Sequence, residues 1–141
     1  MPTPPDDFRH TTAIQVRFAD LDVLGHLNHA KYLTYMEHAR ILYIREVCGF
    51  DGDWEDFGVI LANITCDYLM PVAFAETITV YTRCSRMGGK SFDFEYVLKN
   101  EADETVANGK TVLVAFDYDE NTTIPIPQVW RDNMTEFETK L

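Results

Sequence analysis

Arg17-Phe18-Ala19-Asp20-Leu21-Asp22-Val23-Leu24-Gly25-His26-Leu27-Asn28-His29 opens as a strand, breaks into a loop and runs into a helix near Asn28. Asn is a good N-cap, because its side-chain oxygen accepts from the free N–H groups of the first turn. Beyond it, Tyr32, Leu33, Tyr35, Met36, Ala39, Leu42, Tyr43 and Val47 cover an arc wider than one amphipathic stripe. Such an arc predicts a helix buried on most sides. Lys31, Thr34, His38 and Arg45 share the narrow stripe expected to meet water, and Gly49 suits a left-handed C-cap. Asp20 and Asp22 therefore stand beside the positive end of a helix.

Working outward, residues 1–10 are rich in proline and acid and are expected to form a loose tail. In residues 12–18, Ile14, Val16 and Phe18 alternate with Gln15 and Arg17, the period of a half-buried strand. Residues 51–58 read as a surface loop with one helical turn. Four strands are expected next, over 59–70, 77–84, 91–99 and 105–118, the last with Val112, Val114, Phe116 and Tyr118 on one face. Residues 87–90 and 100–104 are links of hairpin length. After Pro125 and Pro127, the spacing of Trp130, Met134 and Phe137 predicts a short terminal helix. The order is strand, long helix, four strands in meander, short helix. One long helix must cover five strands, which predicts an α+β domain over 11–141 whose curved antiparallel sheet wraps the helix.

At 141 residues one domain suffices. It buries roughly 68–70% of its unfolded surface and needs no disulfide or metal to fold. Twelve Lys and Arg against 23 Asp and Glu leave a net charge of −11. That surface repels nucleic acid and anionic lipid, and an anionic substrate needs a local basic patch to approach it. Cys48, Cys66 and Cys84 follow no metal spacing and read as reduced thiols. The start lacks the basic and apolar segments of a secretory signal, and no apolar run has the length of a membrane span. A soluble, cytoplasmic protein is expected.

Arg17 to Tyr32, with Glu37 and Ala39-Arg40 further along, resembles the signature of hot-dog-fold acyl-CoA thioesterases, in the branch named for 4-hydroxybenzoyl-CoA thioesterase. Arg83-Cys84-Ser85-Arg86-Met87-Gly88-Gly89-Lys90-Ser91, followed by Phe92 to Tyr96, is similar to that family's next segment. The resemblance spans residues 10 to 120 or so and implies a hot-dog fold, with acyl-CoA as substrate and no cofactor. It makes Asp22 the catalytic carboxylate and the backbone N–H of His29 the oxyanion donor. It also implies a homodimer with acyl-CoA in a groove between protomers, and in many cases a homotetramer. Gly25-His26-Leu27-Asn28 replaces the bulkier apolar residues of the type enzyme, a form that recurs in relatives acting on aliphatic acyl groups.

The chemistry fits these residue types. Thioester hydrolysis needs a nucleophile, or a base that makes one from water, and donors for the oxygen that gains charge. A thiolate leaves readily, so one carboxylate suffices, as attacking group or as base. Free N–H groups at a helix start supply the oxyanion site. Simpler roles stand beside each of these. Asp20 and Asp22 can cap turns, and Asp20 is expected to shape the loop. His26 orients Asp22 or is structural; Asn28 caps the helix, with its amide in reach of the carbonyl. Glu37 and Arg40 are expected at or inside the apolar arc, as a buried pair or a protomer contact. Arg83, Arg86 and Lys90, with Ser91 beside them, form an acid-free stretch suited to the phosphates of coenzyme A, or are three solvated charges. Asp20, Asp22, His26 and His29 match no standard zinc spacing, so no metal is expected. Two rival functions are an enoyl-thioester hydratase or dehydratase and a non-catalytic acyl-CoA binding module.

Overall fold

The structure, a computed structural model, describes residues 2–50 and 58–141. The loop expected over 51–58 therefore lies, except for Gly58, outside the described residues. The elements are β1 (His10–Gln15), a 3-10 turn (Phe18–Asp20), α1 (His29–Val47), β2 (Val59–Tyr68), β3 (Thr77–Met87), β4 (Ser91–Lys99), β5 (Thr105–Asp117), β6 (Thr122–Thr123) and α2 (Gln128–Phe137). The sheet runs β1-β3-β4-β5-β2, every pair antiparallel, with the short β6 added beside β5.

The expected meander holds for β3, β4 and β5 but not for β2, which pairs with β5 at the far edge. The length of α1 explains this. Its 19 residues span about 28 Å at 1.5 Å per residue, whereas five strands at their usual spacing are only about 19 Å across. The helix can thus carry the chain from the β1 edge to the opposite one. This is the hot-dog arrangement: one helix laid into a curved sheet.

Tyr35, Met36, Ala39 and Tyr43 of α1 pack with Ile78 and Val80 of β3 and with Phe92, Phe94 and Leu98 of β4, all nearly or fully buried. The Met36 side chain also reaches β5. A Cβ built on Gly109 would stand 2.5 Å from both Sδ and Cε of Met36. Any larger residue there must displace the end of Met36.

Register decides which face of β5 turns inward. Leu113 stands opposite Phe92 and Thr111 opposite Phe94, and cross-strand partners share a face. Thr111, Leu113 and Ala115 are therefore buried, while Val112, Val114 and Phe116 are only half-buried. Phe18 likewise does not continue the inward alternation; it sits in the 3-10 turn and is 77% exposed. The open face of α1 is also broader than the expected stripe, since Glu37 and Ile41 join Thr34, His38 and Arg45 there. Arg40 is buried and donates to the Tyr96 hydroxyl at 3.2 Å, with Glu37 3.7 Å away on the exposed side. The long stem of Arg40 lets its guanidinium reach inward while Glu37 stays in water.

Residues 2–9, where a loose tail is expected, make contacts with the strands. The Tyr81 hydroxyl donates to the carbonyl of Pro2 at 2.8 Å, Lys99 Nζ donates to that of Thr3 at 2.9 Å, and the Thr3 N–H donates to Asp103 at 2.8 Å. The Arg83 guanidinium lies over the Phe8 ring. An extended, proline-bearing segment has carbonyls free of secondary structure, and these side chains use them. At the other end, α2 buries Met134 and packs Trp130 and Phe137 against the core, as the spacing predicted. Glu138 follows it inward, accepting from the Tyr43 hydroxyl at 2.8 Å and from the Cys84 N–H. Among the described residues, no helix is long and apolar enough to cross a membrane.

Candidate active site

The loop from Leu21 to Leu27 is closed by backbone pairing. Leu21 bridges Leu27, His26 bridges Ala73, the Asp22 N–H donates to the His26 carbonyl at 2.8 Å, and the Leu27 N–H donates to that of Val72 at 2.8 Å. The turn at its tip places Gly25 at φ +84°, a left-handed conformation that glycine adopts without steric cost. Oδ1 of Asp22 accepts from the Leu24 N–H at 2.9 Å and the His26 N–H at 3.2 Å. This is the side-chain turn that aspartate favours. Oδ2 makes no hydrogen bond to any described residue, and Asp22 is half-buried. One carboxylate oxygen is thus anchored and the other is open. The part of His26 that holds Asp22 is its amide, while its side chain is exposed.

The start of α1 is prepared from both sides. Asn28 is the N-cap: its Oδ1 accepts from the Ala30 N–H at 3.0 Å, and its carbonyl accepts from the Lys31 N–H at 2.8 Å. The next N–H, that of His29, has no acceptor among the described residues. Because the carbonyl of the same peptide group already accepts, that N–H is polarised toward donation, at the positive end of the helix dipole. Its imidazole is exposed, edge-on to the Tyr68 ring with centroids 6.4 Å apart.

Three tyrosines absent from the sequence-level candidates surround this point. The Tyr68 hydroxyl donates to the His29 carbonyl at 3.1 Å, and its ring meets that of Tyr32 edge-on at 5.0 Å. The Tyr32 hydroxyl donates to the Met70 carbonyl at 3.1 Å. The Tyr35 hydroxyl donates to Oδ2 of Asp20 at 2.6 Å. Tyr32 and Tyr35 fall on the core face in sequence, and their hydroxyls were the available sign that they do more than fill volume. Asp20 is 1% exposed. Burial alone would raise its carboxyl, but the bonds from Tyr35 and from the Arg17 N–H, with the Arg17 guanidinium nearby, hold it below the usual carboxylate range. The expected loop-shaping role of Asp20 takes this form.

The basic candidates lie on β3 and at the β3–β4 hairpin. Arg83 is engaged by Glu95 across the strand pair, at 2.9 and 3.2 Å. Arg86 donates to Ser91 Oγ and to Asp93, both at 2.8 Å. The Arg86 bond, outweighing burial and aided by Lys110, holds Asp93 below the usual carboxylate range. Lys90 reaches only Thr123 Oγ1, at 3.4 Å, and has no carboxylate partner among the described residues. Two of the three cations are therefore already neutralised. No group of three or more His, Cys, Asp or Glu side chains that could hold a metal is found among the described residues. Cys48 and Cys84 are buried free thiols pushed up to about 12 by that burial, with Glu138 adding to the effect at Cys84.

The chain matches known proteins over most of its length. The putative acyl-CoA thioesterase YneP of Bacillus subtilis is 28% identical over 127 residues, covering 89% of this chain and 92% of that protein. The long-chain acyl-CoA thioesterase FadM of Escherichia coli is 25% identical over 130 residues, covering 89% and 97%. Among solved structures, a thioesterase from Thermus thermophilus, complexed with coenzyme A and Zn, superposes with a TM-score of 0.83 at 32% identity, covering 94% of this chain and 96% of that one. The family model of the thioesterase-like superfamily matches residues 16–134, from the end of β1 into α2. The chain belongs to the thioesterase-like superfamily and is a thioester hydrolase of the hot-dog fold.

Proposed function

We propose that this protein hydrolyses acyl-CoA to a free carboxylic acid and coenzyme A, with Asp22 as nucleophile or general base and the His29 N–H as oxyanion donor. One observation carries this reading. A carboxylate with one oxygen tied to its loop and the other open shares a short connector with an unsatisfied N–H at a helix start. In the first route Oδ2 attacks the thioester carbon, the C–S bond breaks to release the thiolate, and water hydrolyses the resulting anhydride. In the second, water attacks the same carbon while its proton passes to Asp22, and the C–S bond breaks to release the thiolate. Either way charge gathers on the acyl oxygen, where loss of one donor costs about 2.7–4 kcal/mol in comparable acyl-transfer sites. The names of the two curated relatives and the coenzyme A bound in the Thermus protein support the substrate class. Asn28 positions the donor and His26 the carboxylate, each through the contacts described above. Lys90 is the foremost candidate for a coenzyme A phosphate, with Arg83, Arg86 and Ser91 as further contacts once their present partners yield.

The quaternary state belongs to the same reading. β2 is an edge strand, exposed along most of its length, with Ile60 and Leu61 on it and Leu69 just beyond its end. Pairing of two β2 edges makes a homodimer, which can pair again into a tetramer, and the substrate groove forms between protomers. No metal or prosthetic group is needed, and the cytoplasm, where acyl-CoA is made and used, is the proposed location. The test is thiol release from a panel of acyl-CoA substrates by the wild type and by Asp22→Asn. Asparagine keeps the Oδ1 contacts with Leu24 and His26, so folding and ligand binding should persist. The rate should fall by about 10²–10⁴. A wild type inert across the panel, or a variant of unchanged rate, refutes the proposal.

A further inference from the structure

The buried Tyr35–Asp20 pair has no place in the chemistry above. Tyr35 is 3% exposed, and a phenylalanine would fill the same volume, so its hydroxyl answers to one partner, Oδ2 of Asp20. A carboxylate held ionised only accepts, so the tyrosine must be the donor, and such charge-assisted bonds are the short, strong ones. Asp20 also acts through its backbone: its carbonyl accepts from the Asn28 N–H at 2.9 Å. Asn28 is the N-cap whose peptide bond contains the His29 N–H. Tyr35 lies seven residues beyond Asn28, two helical turns, and so projects from the same face.

We propose that Tyr35 is a positioning residue for the catalytic loop, its hydroxyl fixing, through Asp20, the direction in which the His29 N–H points. The helix reaches back from its second turn to hold the segment it emerges from. Tyr35, Asp20 and Asn28 close a ring whose remaining side is the helix itself. Without the hydroxyl, the Asp20 side chain keeps only its Arg17 contacts, which come from the cap of its own 3-10 turn and carry no information about where α1 stands. The Asn28–His29 peptide keeps its bond from Lys31, but the Asp20 carbonyl that holds the Asn28 N–H is no longer fixed against the second turn of α1. The inference rests on the proposed oxyanion role of His29 for its catalytic consequence, but its structural consequence is independent of that role.

The test compares Tyr35→Phe with Tyr43→Phe in the full chain. Tyr43 also spends its hydroxyl on a buried carboxylate, that of Glu138, two further turns along α1 and away from the loop. It therefore serves as a control for lost stability. Two quantities are read: amide hydrogen exchange at Asn28, and kcat and KM for thiol release from acyl-CoA. Tyr35→Phe should accelerate Asn28 exchange by about tenfold or more through local opening. It should lower kcat by about tenfold with KM within about twofold. Tyr43→Phe should lose comparable stability yet leave both readouts at the wild-type value. Unchanged exchange at Asn28 in Tyr35→Phe overturns the inference, as does faster exchange with unaltered kcat in an active enzyme. Faster exchange in a protein whose wild type hydrolyses none of the substrates upholds the loop-fixing role and refutes the proposed function instead.

Discussion

Replacing Gly109 by alanine tests the contact that seats α1 in the sheet. The new Cβ would lie 2.5 Å from Sδ and Cε of Met36, whereas non-bonded carbon and sulfur rest about 3.5–4.0 Å apart. Something must therefore move by about 1 Å. Met36 is 0% exposed, so its terminal methyl has no solvent to swing into, and overpacking of this kind costs about 1–3 kcal/mol. Alanine returns about 0.4–1 kcal/mol by restricting the unfolded chain, leaving a net loss of about 0–2.6 kcal/mol. Met36→Ala alone opens a cavity and should cost about 2–5 kcal/mol. In the double variant the added methyl occupies part of that cavity, so the combined loss should fall short of the sum by at least about 1 kcal/mol. Denaturant unfolding of the four proteins measures this cycle. Additivity within about 0.5 kcal/mol would refute the claim that Met36 and β5 meet here.

Two further outcomes follow from buried groups near the same helix. A thiol reagent applied to the folded protein should find Cys66 alone, and slowly, because Cys48 and Cys84 are buried and pushed up to about 12; titration with and without denaturant counts them, and three fast thiols in the native state would contradict the packing. Burial raises Glu138 above its ordinary 4.5, so the folded state holds that proton more tightly than the unfolded one. Its contribution to stability is then complete below that value and is lost as pH rises above it. Glu138→Gln should flatten this decline and be the more stable protein at neutral pH, as thermal melts across pH 4–8 would show.

The helix start was legible because its signals are local. Asn28 as N-cap, Gly25 at positive φ, Gly49 at φ +70° after α1 and Asp22 in the turn each depend on neighbours within a few residues. What escaped depends on partners brought together by the sheet. The arginines on β3 looked free because Glu95 and Asp93, which neutralise them, become neighbours only through the β3–β4 register. The inward face of β5 is set by β4, and the place of β2 by the reach of the helix between them. Tyr35 and Asp20 are fifteen residues apart, in a turn and a helix, and no periodicity links them. Residues 2–9 carried the composition of a tail, yet their carbonyls satisfy side chains on distant strands.

The loop around Asp22 is closed almost wholly by main-chain bonds, from Asp22 to His26, from Leu27 to Val72 and from Asn28 to Asp20. The side chains of Val23, Leu24 and His26 point outward and take no part in that closure. A lineage can therefore rewrite those three positions, and with them whatever the loop rim touches, without displacing the carboxylate. Conservation of chemistry and drift of selectivity become separable in a segment only seven residues long.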